Sequence, residues 1–112
     1  MVQNPEDLLT LEGIKQKIDT HIETHYTIPQ LAYDAAMSPS KLKPLFHQQY
    51  NKSIYAYLVE KRLAEAVNLL VNTNLPLKVI AKRSGFKFQA NFTIFFRRHM
   101  GKSPGRFRRE LG

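Results

Sequence analysis

The sequence contains no cysteine, so it can form no disulfide framework, thiolate zinc site, iron-sulfur cluster or cysteine nucleophile, an absence that suits a reducing cytosol. It also lacks any apolar run approaching the roughly 18 residues of a membrane-spanning helix. Met1 to Thr10 holds Glu6 and Asp7 and no long apolar stretch, which reads as neither a signal peptide nor a membrane anchor. No segment alternates apolar and polar residues for long enough to make a strand. Arginine is missing before Tyr50, and acids are scarce after it. The first 50 residues carry four Lys against six acids, a balance of −2; the remainder carries six Lys and seven Arg against Glu60, Glu65 and Glu110, a balance of +10. A basic lobe of that kind suits a polyanion, or else is only a solvated surface, and the arrangement of the residues has to decide.

What is present is helical periodicity within 112 residues, of which 43% are hydrophobic. That is enough for a real core, which excludes global disorder, and too short for most large enzyme folds. The expected fold class is all-α. A first helix starts at Asn4, with Pro5 in its first position, or restarts at Thr10; it presents Leu11, Ile14, Ile18 and Ile22 as one stripe and is expected to end near His25. Thr27 and Gln30 have capping-box spacing and open a short helix through Leu31, Ala32 and Ala35. Ser38 and Pro39 start another, with Leu42, Leu45 and Phe46 on one side and Asn51 at its end. Ser53 caps the longest helix, Ile54 to about Val71, which is free of Gly and Pro. Leu77 to Ser84, Phe88 to Met100 and a short piece from Ser103-Pro104 complete the set, with Gly85 and Gly101 in the turns and Phe92, Phe95, Phe96 and Phe107 available for burial.

These pieces repeat. Leu31-Ala32, Ala36-Met37, Leu42, Leu45-Phe46, Tyr50-Asn51-Lys52-Ser53 and Tyr57 match Ile80-Ala81, Gly85-Phe86, Phe92, Phe95-Phe96, Met100-Gly101-Lys102-Ser103 and Phe107. The offset is 49 residues before the turn and 50 after it, the tolerance expected of two copies of one helix-turn-helix unit. In such a unit the second helix, held by the first, projects polar side chains into the major groove of DNA. With Phe92, Phe95 and Phe96 facing inward, Gln89, Ala90, Thr93, Ile94 and Arg97 fall outward. Gln and Thr can address base edges, Arg a base or a phosphate, and Ala or Ile a thymine methyl. In the first copy Ser40, Lys43, Pro44 and His47 face outward, a poorer set of readers. About 18 helical residues between the copies span roughly 27 Å, which suits two half-sites about one turn of duplex apart.

The chain here resembles the DNA-binding domain of the AraC/XylS family of bacterial transcription regulators. The likeness covers about Ile14 to Arg109 and is densest in Arg62-Leu63-x-x-Ala66-x-x-Leu69-Leu70, Ile80-Ala81-x-x-x-Gly85-Phe86, Phe92-x-x-x-Phe96 and Gly101-x-Ser103-Pro104-x-x-Phe107-Arg108. It implies seven helices and two helix-turn-helix subdomains joined by a long central helix. Residues 1–10 then read as an extension or linker, 11–53 as the first subdomain, 54–72 as the linker helix and 73–112 as the second. The resemblance further implies double-stranded promoter DNA as ligand, RNA polymerase as a frequent partner, a separate effector-binding or dimerisation domain, a cytoplasmic, nucleoid-associated location and no cofactor. On this reading Gln89, Ala90, Thr93, Ile94, Ser40 and Lys43 read bases, while Arg97, Arg98, Lys41, His47, Arg106 and Arg108 meet phosphate. Three residues depart from the family pattern: Ala36 stands for a turn glycine, Pro44 for a reader that is Arg in many relatives, and Ile94 for a polar or basic one.

Other readings compete at several positions. His21 and His25, four apart on a helix, could ligate zinc, but no third ligand is evident and the spacing of Glu23 does not fit a metalloprotease motif. His47 and His99 read as surface and packing residues, lacking partners for acid-base work, and nothing in the sequence points to an enzyme. Arg62 either braces the fold or touches phosphate, and Arg106, Arg108 and Arg109 are either phosphate contacts or a solvated face. The rival function is a protein-interaction module whose basic surface binds an acidic partner.

Overall fold

The computed structural model describes residues 2–111 and contains, among them, seven α-helices and no strand: α1 Pro5–Thr20, α2 Ile28–Asp34, α3 Pro39–Tyr50, α4 Ile54–Asn72, α5 Leu77–Arg83, α6 Gln89–Met100 and α7 Pro104–Leu111. Local chemistry sets most of the boundaries. Asn4 Oδ1 accepts the N–H groups of Glu6 and Asp7, and Thr27, Ser38, Ser53 and Ser103 each accept the N–H three residues on. Asn51 and Gly101 end α3 and α6 in the left-handed conformation, at φ 60° and 80°.

The first helix departs from expectation at its C-terminus. It ends at Thr20 rather than near His25, because Tyr26 folds back and its hydroxyl donates to the carbonyls of Lys17 and His21, at 2.9 and 2.8 Å. The His21 carbonyl is an acceptor that another helical turn would have used, while the Lys17 carbonyl already takes the His21 N–H. Ile22 keeps its place against the core from outside the helix. At the other end α1 begins at Pro5, inside the segment set apart as 1–10; Val2 is buried and Leu8 packs on the core, so that segment is built into the first unit. Met1 and Gly112, the outer ends of that division, lie outside the described residues.

The chain forms two compact units that divide at Glu60 and Lys61, within α4. In the first, Leu11, Ile14 and Ile18 of α1 meet Leu31 and Ala32 of α2, Leu42 and Phe46 of α3, and Ile54, Tyr57 and Leu58 of α4. In the second, Ala66, Leu69 and Leu70 of α4 meet Ile80 and Ala81 of α5 and Phe92 and Phe96 of α6. The N-terminal part of α4 thus closes the first core as α7 closes the second, and its C-terminal part opens the second as α1 opens the first. Even the ring packing repeats: Phe46 meets Tyr57 edge-on at 5.9 Å between centroids, and Phe96 meets Phe107 edge-on at 5.4 Å. A Lys-to-Glu pair eight residues apart recurs as well, Lys52 with Glu60 and Lys102 with Glu110.

Candidate nucleic-acid interface

In α6 the burial pattern separates two faces. Phe92 and Phe96 are fully buried, whereas Gln89, Ala90, Ile94, Arg97 and Arg98 are exposed and Thr93 is half-buried. Ile94, 56% exposed, spends an apolar side chain on solvent. α5 packs against α6 and holds it by its inner face, leaving the outer one open. Arg97 and Arg98 have no carboxylate partner among the described residues, so both cations are available to an anion. Phe95, expected in the core, is only half-buried. It lies at the edge of the stripe, its ring 4.8 Å from those of Phe86 and His99, and the Arg62 guanidinium lies over the Phe86 ring at 5.9 Å.

The corresponding helix of the first unit, α3, runs without interruption through Pro44. Ser40, Lys41, Lys43, Pro44 and His47 are all exposed, while Leu42 and Phe46 face the core. Proline has no N–H, so the Ser40 carbonyl lacks the donor four residues on. Ser40 Oγ lies 3.2 Å from Ser38 Oγ, and Lys41 Nζ reaches Asp7 of α1 at 3.5 Å. That ion pair, which no local spacing signals, partly neutralises a cation assigned to phosphate.

The C-terminal arginines separate by environment. Arg108, assigned to phosphate on sequence, is engaged elsewhere: its guanidinium donates to the carbonyls of Leu75 at 2.6 Å, Thr73 at 3.2 Å, Leu70 at 3.4 Å and Leu69 at 3.5 Å. These are the last carbonyls of α4 and the turn after it; Leu69 also takes the Thr73 N–H and hydroxyl, and Arg108 adds donors to the rest. Arg108 is therefore engaged as a brace within its own unit. Arg106 stays on the surface and pairs with Glu110 at 2.8 Å. Hydrogen bonds from Lys102 and then Arg106 hold the Glu110 carboxyl down to about 2. Among the described residues no group of three or more His, Cys, Asp or Glu could hold a metal ion, and no helix is long and apolar enough to cross a membrane.

These two helix-turn-helix units match a family model for a helix-turn-helix domain over residues 31–110, from α2 to α7. The chain belongs to the AraC/XylS family of DNA-binding domains. It is similar to the arabinose operon regulatory proteins of Salmonella typhimurium, 33% identical over 94 residues, and of Escherichia coli, 32% identical over 94 residues; each alignment covers 83% of this chain. The chain spans about a third of the length of those two regulators, at 34% and 32%. Among solved structures it is similar to the C-terminal domain of AraT, a response regulator from Geobacillus stearothermophilus, with a TM-score of 0.84 and 30% identity over 90% of this chain and 84% of that one. The DNA-binding domain of AdpA, solved in complex with a target DNA, shares the fold at a TM-score of 0.83 and 24% identity, covering 90% of this chain and 91% of that one. As an AraC/XylS domain the chain is a DNA-binding module.

Proposed function

We propose that α6 reads bases in the major groove of promoter DNA through Gln89, Ala90, Thr93 and Ile94, with Arg97 and Arg98 on the flanking phosphates. In the same reading α3 presents Ser40 and Lys43 to a second half-site, and Lys41, His47 and Arg106 add phosphate contacts. The observation that carries this reading is the division of α6 into a buried face, Phe92 and Phe96, and an outer one bearing exposed Gln89, half-buried Thr93 and two arginines without a carboxylate partner among the described residues. A polar helical face of that composition, held from behind by a partner helix, is what direct readout requires. The spacing of the half-sites, about one turn of duplex, rests on the length of α4 alone.

Family membership and the share of the relatives' length that the chain spans support a wider reading. The domain works in the cytoplasm, at the nucleoid, alongside an effector-binding or dimerisation domain and in contact with RNA polymerase. The activity is regulatory and not catalytic.

Selection of bound sequences from random duplexes, followed by titration of the selected site with salt, tests the DNA-reading proposal. Two conserved half-sites about one turn apart are expected, with log affinity falling steeply against log salt, by about 0.9 for each phosphate neutralised. A pool with no enriched sequence, or an affinity indifferent to salt, overturns it.

A further inference from the structure

We infer that Phe88 is a further base-discriminating residue, packing its ring on the 5-methyl group of a thymine at the edge of the major groove. The inference rests on α6 being the helix that reads the groove, and it starts from a difference between the two copies of the motif. In the first copy the residue before the reading helix is Ser38, and its Oγ accepts the Lys41 N–H at 3.2 Å. In the second copy that position is Phe88, also in extended backbone at φ −121° and ψ 135°, and no side chain caps α6. Just ahead of it the second copy carries one residue more than the first, where the repeat offset passes from 49 to 50. The residue there is Lys87, and its Nζ sits 5.5 Å from the centre of the Phe88 ring.

Phe88 is 57% exposed and belongs to neither core. A phenylalanine here forgoes the cap that Ser38 supplies and leaves a ring largely in water, with the Lys87 ammonium beside it. Its position offers a use. It directly precedes Gln89, and in helix-turn-helix units the N-terminal residues of the second helix are the ones that reach base edges. Thymine alone presents a methyl group in the major groove, and phenylalanine is among the side chains that meet it. The Lys87 ammonium beside the ring supplies a cation for the adjacent phosphate, which would hold the ring against the groove wall. Wedging between base pairs belongs to minor-groove binding, and the polar neighbours Gln89 and Thr93 argue against it.

The test uses the duplex selected by the wild-type chain, with each thymine replaced singly by uracil, which removes only the methyl group. Affinities are compared for wild type, Phe88→Ala, Phe88→Ser and Gln89→Ala. One uracil substitution should weaken wild-type binding about fourfold, the effect of one buried methyl group, and leave Phe88→Ala unchanged. Phe88→Ser should melt no lower than wild type, since its hydroxyl can cap α6, yet lose the same thymine preference. A residue serving only the fold would not give that split. If every uracil substitution affects Phe88→Ala as it does wild type, the inference is overturned, while relaxation of one base pair by Gln89→Ala shows that the α6 reading stands. If Gln89→Ala relaxes nothing and no uracil substitution matters, α6 is not the reader and both fall.

Discussion

Ala36 and Gly85 hold the same left-handed backbone at the same place in their turns, at φ 54° and 96°. The hydrogen bonds around them coincide as well. Ala36 N–H donates to Tyr33 and Met37 N–H to Ala32, while Gly85 N–H donates to Lys82 and Phe86 N–H to Ala81. Both turns are thus Schellman closures, in which the two residues after the C-cap satisfy the last carbonyls of the first helix. Glycine enters that conformation freely, whereas alanine brings its Cβ toward the following carbonyl oxygen.

Ala36→Gly should therefore stabilise the first unit. Relief of left-handed strain is worth about 1 to 2 kcal/mol, and the added freedom of the unfolded chain takes back roughly half. A net gain of about 0.5 to 1 kcal/mol is expected in denaturant melts, with Gly85→Ala shifting the second unit in the opposite direction. A loss of stability in Ala36→Gly would show that the turn carries no strain.

Arg108 should behave as a structural residue. Arg108→Ala removes the donors to the Leu75 and Thr73 carbonyls in the turn after α4 and weaker ones to Leu70 and Leu69; with hydrogen bonds to charged groups contributing about 1.5 to 3 kcal/mol each, the two shorter bonds set an expected loss of about 3 to 6 kcal/mol. The fraction that stays folded should show an unchanged dependence of DNA affinity on salt. Arg97→Ala should do the reverse, melting like wild type while the log-log salt slope falls by about 0.9. If Arg108→Ala lowered that slope without lowering stability, the arginine would be a phosphate contact after all.

What was legible in the sequence follows the reach of each signal. The caps at Thr27, Ser38, Ser53 and Ser103 act on an N–H three residues away, and the turns at Asn51, Gly85 and Gly101 depend on single residues, so the spacing alone located them. The faces of α6 followed from helical periodicity, except for Phe95 at the margin of the stripe, where tertiary contacts decide. Arg108, by contrast, finds its acceptors 33 to 39 residues back in the chain. Tyr26 closes the end of α1 by folding back on the Lys17 and His21 carbonyls, and Lys41 of α3 meets Asp7 of α1. No periodicity encodes such pairings. Phe88 lay between these cases, since the comparison with Ser38 was available in the repeat, but its exposure and lack of a cap were not.

Glu110 should make the second unit sensitive to acid. Its carboxyl is held at about 2 by Lys102 and Arg106, against an ordinary 4.5, so the pairing favours the folded state above about pH 4.5. That support is lost as the pH falls through about 2. Glu110→Gln should flatten the fall in melting temperature across this window relative to wild type. At neutral pH the same change releases Arg106, and the salt slope of DNA binding should steepen by up to about 0.9. An identical acid profile in both proteins would show that the pairs contribute nothing to the fold.

The two reading helices should divide the work unequally. Gln89, at the start of α6, can make a bidentate contact to adenine, with Thr93 adding a further polar contact, whereas the exposed face of α3 offers Ser40 and Lys43 beside Pro44, and Asp7 holds Lys41. Lysine without a planar fork meets phosphate as a point charge, and a proline in the reading helix removes one of its backbone hydrogen bonds, loosening the platform. Gln89→Ala should therefore relax the preference at one base pair by about 1 to 3 kcal/mol. Ser40→Ala and Lys43→Ala should instead lower affinity evenly across sequences, and Asp7→Asn should raise it evenly by freeing Lys41. Selected-site profiles for the four variants read these differences directly. If Lys43→Ala erased one sharply preferred base while Gln89→Ala changed none, α3 would be the principal reader, and the greater positive charge of the second unit would serve only to anchor the domain on phosphate.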